Sequence, residues 1–422
     1  MLLEKASSQQ KTITKPFALY NTYGAEEKNA VLKVLDSGVL SQFVGAWCED
    51  FYGGSEVLAF EERWKKFFKV KHAISVNSAT SGLIAALGAI DIEPGDEVIV
   101  SPWTMSASAT AILVWNAVPV FADIEERTFC LDPESIKSKI SSRTKAIVVT
   151  DIFGHAARLK EIMEIAKKHN LIVIEDAAQA PGALYHDQFV GTIADIGIFS
   201  LNYHKHIHTG EGGVCVTNSE QLAQRMQLIR NHAESVVEGM KVSDIRNMVG
   251  FNFRLGEMEA ALGSVQLAKL PQILVQRAEL TALLFAELKS LPGLRLPVIE
   301  QDCTHVFYVV PFIIDRVKIS ISRTTILEAL ANEGLEGLAP GYTNVHLLPM
   351  YQQKTAYGSN QFPWSINPNS ISYDKGICPV AERLHHYDYF SFLISKFNLT
   401  KEDIKLIARA FFAAWKKLKI IE

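Results

Sequence analysis

Disulfide chemistry has little to work with in this chain. Five cysteines, Cys48, Cys130, Cys215, Cys303 and Cys378, are scattered over 422 residues, with no C-x-x-C pair and no zinc-ligand spacing. That excludes a disulfide-stapled miniprotein. An odd, dispersed set suits a reducing cytoplasm, with each cysteine serving as a small buried apolar residue. No apolar run reaches the ~20 residues that a bilayer demands, so no membrane partner is expected. An excess of one charge is missing too. Lys and Arg number 42 against 46 Asp and Glu, a formal net charge of −4, which offers no basic field for nucleic acid. The opening MLLEKASSQQKTITK lacks a signal peptide's hydrophobic segment, and the expected location is the cytoplasm. What is present is ordinary for a large globular enzyme: 48% hydrophobic residues, 21% charged, and a length that predicts two to three domains.

Organisation along the chain points to an α/β fold. Residues 1–16 read as a loose terminus, and 25–36 (AEEKNAVLKVLD) as a short amphipathic helix. Gly38, Gly45, Gly53 and Gly54 then punctuate an aromatic stretch with Phe43, Trp47, Phe51 and Tyr52. It is too apolar for a flexible linker, so it is expected to pack as a functional or interface loop. From about residue 57, helices and strands alternate. Residues 80–90 place Leu83, Leu87 and Ile90 on one helical face, and 97–100 (EVIV) read as a buried strand after the turn at Pro94-Gly95-Asp96. Residues 145–150 and 171–174 are further strands. Between them, helix 159–169 turns Leu159, Ile162, Met163 and Ala166 inward. Short strands apolar on both faces, alternating with helices, mean a mostly parallel sheet covered on both sides. After Gly263 the pattern changes to a long helix over 264–291, a strand-like run at 306–314, a helix at 324–332 and a final amphipathic helix at 400–419. The expected division is an N-terminal segment (1–56), a large α/β domain (57–265) and a smaller α+β domain (266–422).

Three local patterns carry chemistry. Residues 175–179 (EDAAQ) follow a parallel strand, where open sheets place their ligands, so Asp176 and Gln179 either face a ligand or serve as helix-capping polar groups. Residues 199–213 (FSLNYHKHIHTGEGG) set Lys205 five residues before a glycine-rich turn. An amine shielded from water has a lowered pKa and is a nucleophile for an aldehyde, although an isolated loop lysine is also commonly a solvated one. His204, His206 and His208 share a face only on a strand and lack a carboxylate or cysteine companion, so no metal is expected. Asn77-Ser78-Ala79-Thr80 precede a helix, whose free N–H groups bind phosphate with Ser78 and Thr80 adding hydroxyls, unless Ser78 or Thr80 is an ordinary cap. A phosphate cradle, an acid and a lysine together fit pyridoxal 5′-phosphate, whose protonated ring nitrogen pairs with an acid through a charge-assisted hydrogen bond of roughly 1.5–3 kcal/mol.

The ordered motifs N-S-A-T-S-G-L, P-G-D-E-V-I-V, I-E-D-A-A-Q-A, F-S-L-N-Y-H-K-H-I-H-T-G-E-G-G and G-F-N-F-R-L-G-E-M-E-A-A-L-G resemble the DegT/DnrJ/StrS (sugar) aminotransferases of the aspartate aminotransferase-like fold type I. The resemblance runs from about residue 25 to the end and includes Cys378-Pro379-Val380-Ala381-Glu382. It implies that Lys205 is the Schiff-base lysine that also shuttles a proton, that Asp176 is the pyridinium partner and that Gln179 sits near the ring hydroxyl. Ala79 and Thr80, beside Ser78, fall where the family has its phosphate contacts, and Ser200 matches another. Asn252 matches an asparagine that reaches the phosphate from a neighbouring subunit, which implies a homodimer with shared active sites.

The chain departs from the family at three places. Met105 replaces a ring-stacking aromatic, leaving either Met105 or Trp103 to cover the cofactor. Pro181 follows the A-A-Q-A motif where a His is common. The 38–54 segment is longer than usual. Some relatives carry His for the lysine and dehydrate sugars, but Lys205 keeps the gap-free spacing to Gly210-Glu211-Gly212-Gly213. The resulting expectation is a transaminase moving nitrogen from L-glutamate to a keto-sugar, nucleotide-linked, in amino-sugar and surface-polysaccharide synthesis. The alternatives are a transaminase of a free keto-sugar acid, cyclitol or aldehyde, a pyridoxal-dependent sugar dehydratase, and a catalytically silent pyridoxal-binding regulator. Arg254, His346 and Tyr342 are candidate substrate contacts.

Overall fold

The computed structural model describes residues 11–422, built around a seven-stranded sheet. Its strands are β1 (His72–Val76), β2 (Glu97–Val100), β3 (Val118–Phe121), β4 (Thr144–Thr150), β5 (Ile172–Asp176), β6 (Ile196–Ser200) and β7 (Gly213–Thr217), in the spatial order β1-β7-β6-β5-β4-β2-β3. β7 runs antiparallel to both neighbours, and every other pairing is parallel. Nearly every residue of these strands is buried, as expected for a sheet covered on both faces. The parallel pairing of β5 with β6 sets Asp176 opposite Ile198. The carboxyl ends of these strands therefore bring Asp176 and Ser200 to one edge, and the loop from β6 to β7 carries Lys205.

The helices expected at 25–36, 80–90 and 159–169 form within about a residue of those spans, and two further helices join them. α1 (Ala25–Ser37), α2 (Ser55–Phe68), α3 (Ala79–Ala89) and α4 (Ala107–Val114) precede α5 (Leu159–His169). On α5 the buried set is Leu159, Ile162, Ile165 and Ala166. Ile165 joins the buried face, and Met163, expected inward, is only partly covered. The long helix Glu257–Leu288 joins two cores. Ala260, Leu267 and Leu270 pack with Trp64, Phe68 and Phe199 beside the large sheet, whereas Leu280, Leu284 and Leu288 pack with Phe312, Phe390 and Phe411. Pro271 stands between these halves and lacks the N–H that an uninterrupted ladder needs.

The second core covers a four-stranded antiparallel sheet, Leu294–Arg295, Val310–Ile314, Tyr389–Phe392 and Leu338–Pro340. The run read from residue 306 becomes strand only at Val310, because Val306–Tyr308 is spent bonding to the segment at Phe153 and Gly154. Residues 345–381 return to the large sheet: Val345, Tyr351, Trp364, Tyr373 and Cys378 join its core, and Asn367 and Asn369 donate to the buried Glu97. Glu382 accepts from the backbone of Gly376 and pairs with His346 at 3.0 Å, while Asp123 receives the N–H groups of Val380 and Ala381. The P-V-A-E motif is thus a structural knot.

The described part of the expected loose terminus is packed. Ile13 and Phe17 are buried, and Thr12 Oγ1 donates to Glu333. Residues 1–10 lie outside the described residues. In the aromatic segment Phe43 and Phe51 are buried and Trp47 is half-exposed. Of the cysteines, Cys130, Cys215 and Cys378 are buried, Cys303 is intermediate and Cys48 is exposed.

Candidate active site

One cavity of about 230 Å³ gathers Ser78, Ala79, Thr80, Met105, Asp176, Gln179, Ser200 and Lys205 with Asn202, His204, Glu211, Tyr308 and Tyr342. A larger open groove of about 840 Å³, lined by Met163, Tyr185 and Ile193, lies elsewhere and contains none of these residues.

The acid is set rigidly. Asp176 is 4% exposed; its Oδ2 accepts from Ser108 Oγ at 2.7 Å and its Oδ1 from the Ala178 N–H at 3.2 Å. Burial pushes its pKa upward, against those two hydrogen bonds and the Lys205 charge. Behind Asp176, Glu175 takes the N–H groups of Gly191, Ile193 and Ala194 and faces the interior with Asp151.

Lys205 is buried, and Tyr308 places its ring 4.5 Å from Nζ, a cation–π distance. Burial lowers the amine to about 8, with Asp176 pulling the other way. Removing water from an ammonium without a bonded carboxylate favours the neutral, nucleophilic form. The flanking histidines take separate roles. His206 is wholly buried, bonds Val306 O through Nε2 and is driven to about 3 by burial. His208 lies tilted against Tyr23, and His204 lies beside Tyr308 at the cavity. Among the described residues, no three His, Cys, Asp or Glu side chains are grouped to hold a metal.

The helix start is built for close approach. Ser78 caps α3, its Oγ accepting from the Ser81 N–H at 3.0 Å, so the capping alternative holds for that hydroxyl. It still leaves Ala79 and Thr80 at the first turn, lining the cavity. A Cβ on Gly213 would stand 2.6 Å from Ala79 N, so only glycine lets β7 lie against this helix end.

The remaining candidates divide. Gln179 Oε1 accepts from Phe153 N at 2.8 Å and its amide points to the Tyr342 hydroxyl at 3.4 Å. Met105 is 65% exposed and lines the cavity, whereas Trp103 is fully buried against Phe129 with its indole N–H on Asn344. Asn252 is exposed and is not among the residues lining its own chain's cavity. Arg254 is held by Asn231, and His346 is buried, so only Tyr342 of the three further candidates reaches the cavity. Sequence reasoning missed Ser108 and Tyr308, which no motif marks because they arrive from α4 and from the second unit.

The residues present fit pyridoxal phosphate: a buried carboxyl, a lysine with a lowered proton affinity, and a helix start brought against the sheet by a glycine. Comparisons with known proteins agree. The model of the DegT/DnrJ/EryC1/StrS aminotransferase family matches residues 22–384. The spore coat polysaccharide biosynthesis protein SpsC of Bacillus subtilis (strain 168) is 33% identical over 350 residues, 82% of this chain and 87% of that protein. A dTDP-3-amino-3,4,6-trideoxy-alpha-D-glucose transaminase of Streptomyces venezuelae is also 33% identical over 350 residues, 82% of this chain and 86% of its own length. Among solved structures, an aminotransferase from Psychrobacter cryohalolentis superposes with a TM-score of 0.81 at 29% identity, covering 96% of this chain and all of that one. The chain therefore belongs to the DegT/DnrJ/EryC1/StrS aminotransferase family, the pyridoxal phosphate-dependent sugar transaminases.

Proposed function

We propose that the chain transfers nitrogen from L-glutamate to a nucleotide-linked keto-sugar, as a cytoplasmic homodimer serving surface-polysaccharide synthesis such as lipopolysaccharide O-antigen. The observation that carries the reading is the convergence of Lys205, Asp176 and the start of α3 on one cavity. The named relatives act in polysaccharide synthesis or on a dTDP-sugar, which supports the acceptor class.

In this reading residues 57–265 hold the cofactor and 266–422 cover it with Tyr308 and Tyr342. Pyridoxal phosphate, when bound, supplies an aldehyde that carries the amino group and a ring that accepts electrons. Asp176 keeps a proton on the ring nitrogen. Ala79 and Thr80 N–H groups, with Ser200 Oγ, would hold the phosphate at the positive end of α3. Met105, at the cavity, would cover the ring, and Gln179 would be the residue near its hydroxyl. Lys205 Nζ accepts the proton that leaves the α-carbon of glutamate and returns one to the sugar carbon that gains nitrogen. Glutamate leaves as 2-oxoglutarate, and the keto-sugar as an amino-sugar. The two tyrosines and the buried lysine stem keep water from the exchange.

The dimer reading is supported by half-exposed apolar residues along one segment, Leu32, Leu35, Leu40 and Trp47, and by Asn252 standing clear of its own cavity. The test is the holoenzyme's cofactor absorption band, which shifts on adding glutamate, followed by product mass with a panel of keto-sugars. Replacement of oxygen by nitrogen is expected. Loss of water without nitrogen means a dehydratase, and unchanged turnover in Lys205→Ala sinks the mechanism.

A further inference from the structure

Arg277, on the long helix Glu257–Leu288, is 5% exposed. One guanidinium nitrogen donates to Phe307 O at 3.0 Å, and the Tyr20 ring centre lies 5.4 Å from the guanidinium carbon. Among the described residues, no carboxylate lies within ion-pair distance of it, whereas the buried Arg225 pairs with Asp91 and Asp244 and the buried Arg230 with Glu61. The titratable neighbour His206 does not offset it either, since burial keeps that ring neutral. The other neighbours of Arg277 are neutral acceptors, the Phe307 carbonyl and the Tyr20 hydroxyl, and a desolvated guanidinium with no counter-charge is costly.

Beside it is a small cavity of about 20 Å³, lined by Tyr20, Ile273, Gln276, Arg277 and Leu280, with Asn398 and neighbouring residues completing its wall. Such a space holds one water-sized occupant. Gln276 and Asn398, whose side-chain amides can donate, line it, and both residues reach solvent, which gives an entry route. We propose that this cavity binds one small monovalent anion, chloride in size, as the counter-charge of Arg277. Phosphate and sulfate are too large for it, and water occupies the space without answering the charge.

The site has a bearing on the active site. Arg277 holds the carbonyl of Phe307, next to Tyr308, and Tyr20 donates from its hydroxyl to the carbonyl of His206 at 2.8 Å, next to Lys205. An occupied anion site fixes the two residues that brace the lysine and the ring above it.

The experiment follows thermal unfolding of the holoenzyme as sodium chloride replaces sodium gluconate at constant ionic strength. Gluconate is too large to enter. The midpoint is expected to rise saturably with chloride, the folded-to-unfolded ratio growing about tenfold when chloride reaches about ten times its dissociation constant. Asn398→Asp, an exposed position, places a carboxylate on the cavity wall. It is expected to remove the halide response and to hold the midpoint at the chloride-saturated level. Crystals soaked in bromide are expected to show an anomalous peak against the Arg277 guanidinium. A midpoint indifferent to chloride in the unmodified protein, or a cavity holding only water in bromide-soaked crystals, overturns the proposal.

Discussion

Ser108 Oγ lies 2.7 Å from Asp176 Oδ2 and also meets Thr104 Oγ1 at 2.7 Å. Both hydroxyls are buried, so the carboxyl is held by a short chain of donors rather than by water. The Ser108 bond works against the rise in proton affinity that burial causes, favouring the anion that a ring nitrogen would pair with. Ser108→Ala removes this bond without leaving a buried group larger than a methyl. Pyridoxal phosphate affinity is expected to fall about 10–150-fold, the equivalent of about 1.5–3 kcal/mol for a hydrogen bond to a charged group. Titration of the apoprotein by absorbance reads this, and an affinity equal to that of the parent protein refutes it.

The Lys205 amine sets a pH dependence of stability in the protein without cofactor. Its folded value of about 8 lies below its ordinary 10.5, so the folded state binds the proton less well than the unfolded chain. The destabilisation is complete below about pH 8 and fades as pH rises toward 10.5, so stability climbs with pH across that window. Lys205→Met is expected to raise unfolding free energy by about 3 kcal/mol at pH 7 and to flatten the climb. Urea midpoints at pH 7 and pH 10 measure both effects.

Much of this was legible in the sequence because it is local. The strand ending in Asp176, the loop holding Lys205 and the helix start at Ala79 are contiguous patterns, and periodicity placed each on its element. Ser108 and Tyr308 were not legible, since their meaning comes from which strand end they are folded against. Trp103 and Met105 show the same limit: two residues apart, they part company because Trp103 packs against Phe129 and Tyr389 while Met105 is left at the rim. The packing of Ile13 and Phe17 was hidden for a related reason, as two apolar residues in a Lys-rich stretch acquire partners only from the distant second core.

Gly213 offers a steric test of the phosphate end. A methyl there meets Ala79 N and the Ser78 carbonyl carbon at 2.6 and 2.7 Å, both backbone atoms that cannot swing aside. Gly213→Ala is therefore expected to push α3 away from β7, costing about 1–3 kcal/mol of stability as overpacking does and weakening pyridoxal phosphate more than pyridoxal. Binding assays with both forms make the comparison; equal losses for the two would place the damage elsewhere.

Shared sites predict complementation between inactive partners. Lys205→Ala removes the amine from its own cavity, and Asn252→Ala removes a contact proposed to serve the neighbour's. Mixed dimers contain one cavity with both residues intact. Subunit exchange between the two variants is expected to restore part of the turnover, whereas a site completed within one chain restores none.

Asp151 gives a last prediction, resting on the carboxyls behind the site. It is fully buried, its Oδ1 accepts from Ala157 N at 2.9 Å, and no partner among the described residues meets its Oδ2. Glu175, which already receives three backbone N–H groups, is the natural carrier of the negative charge, leaving Asp151 to hold a proton. Burial and Glu175 together keep Asp151 well above its ordinary 3.8. For a carboxyl raised in the folded state, the stability it contributes is complete below its ordinary value and is lost as pH climbs through the raised one. Asp151→Asn keeps the shape and an N–H donor where the protonated oxygen stands. It is expected to leave stability near pH 5 within about 1 kcal/mol of the parent, the scale of one hydrogen bond, and to remove part of the decline toward alkaline pH. Denaturant midpoints at both ends of that range decide it: a variant that is far less stable at every pH would mean that Asp151 is held as an anion.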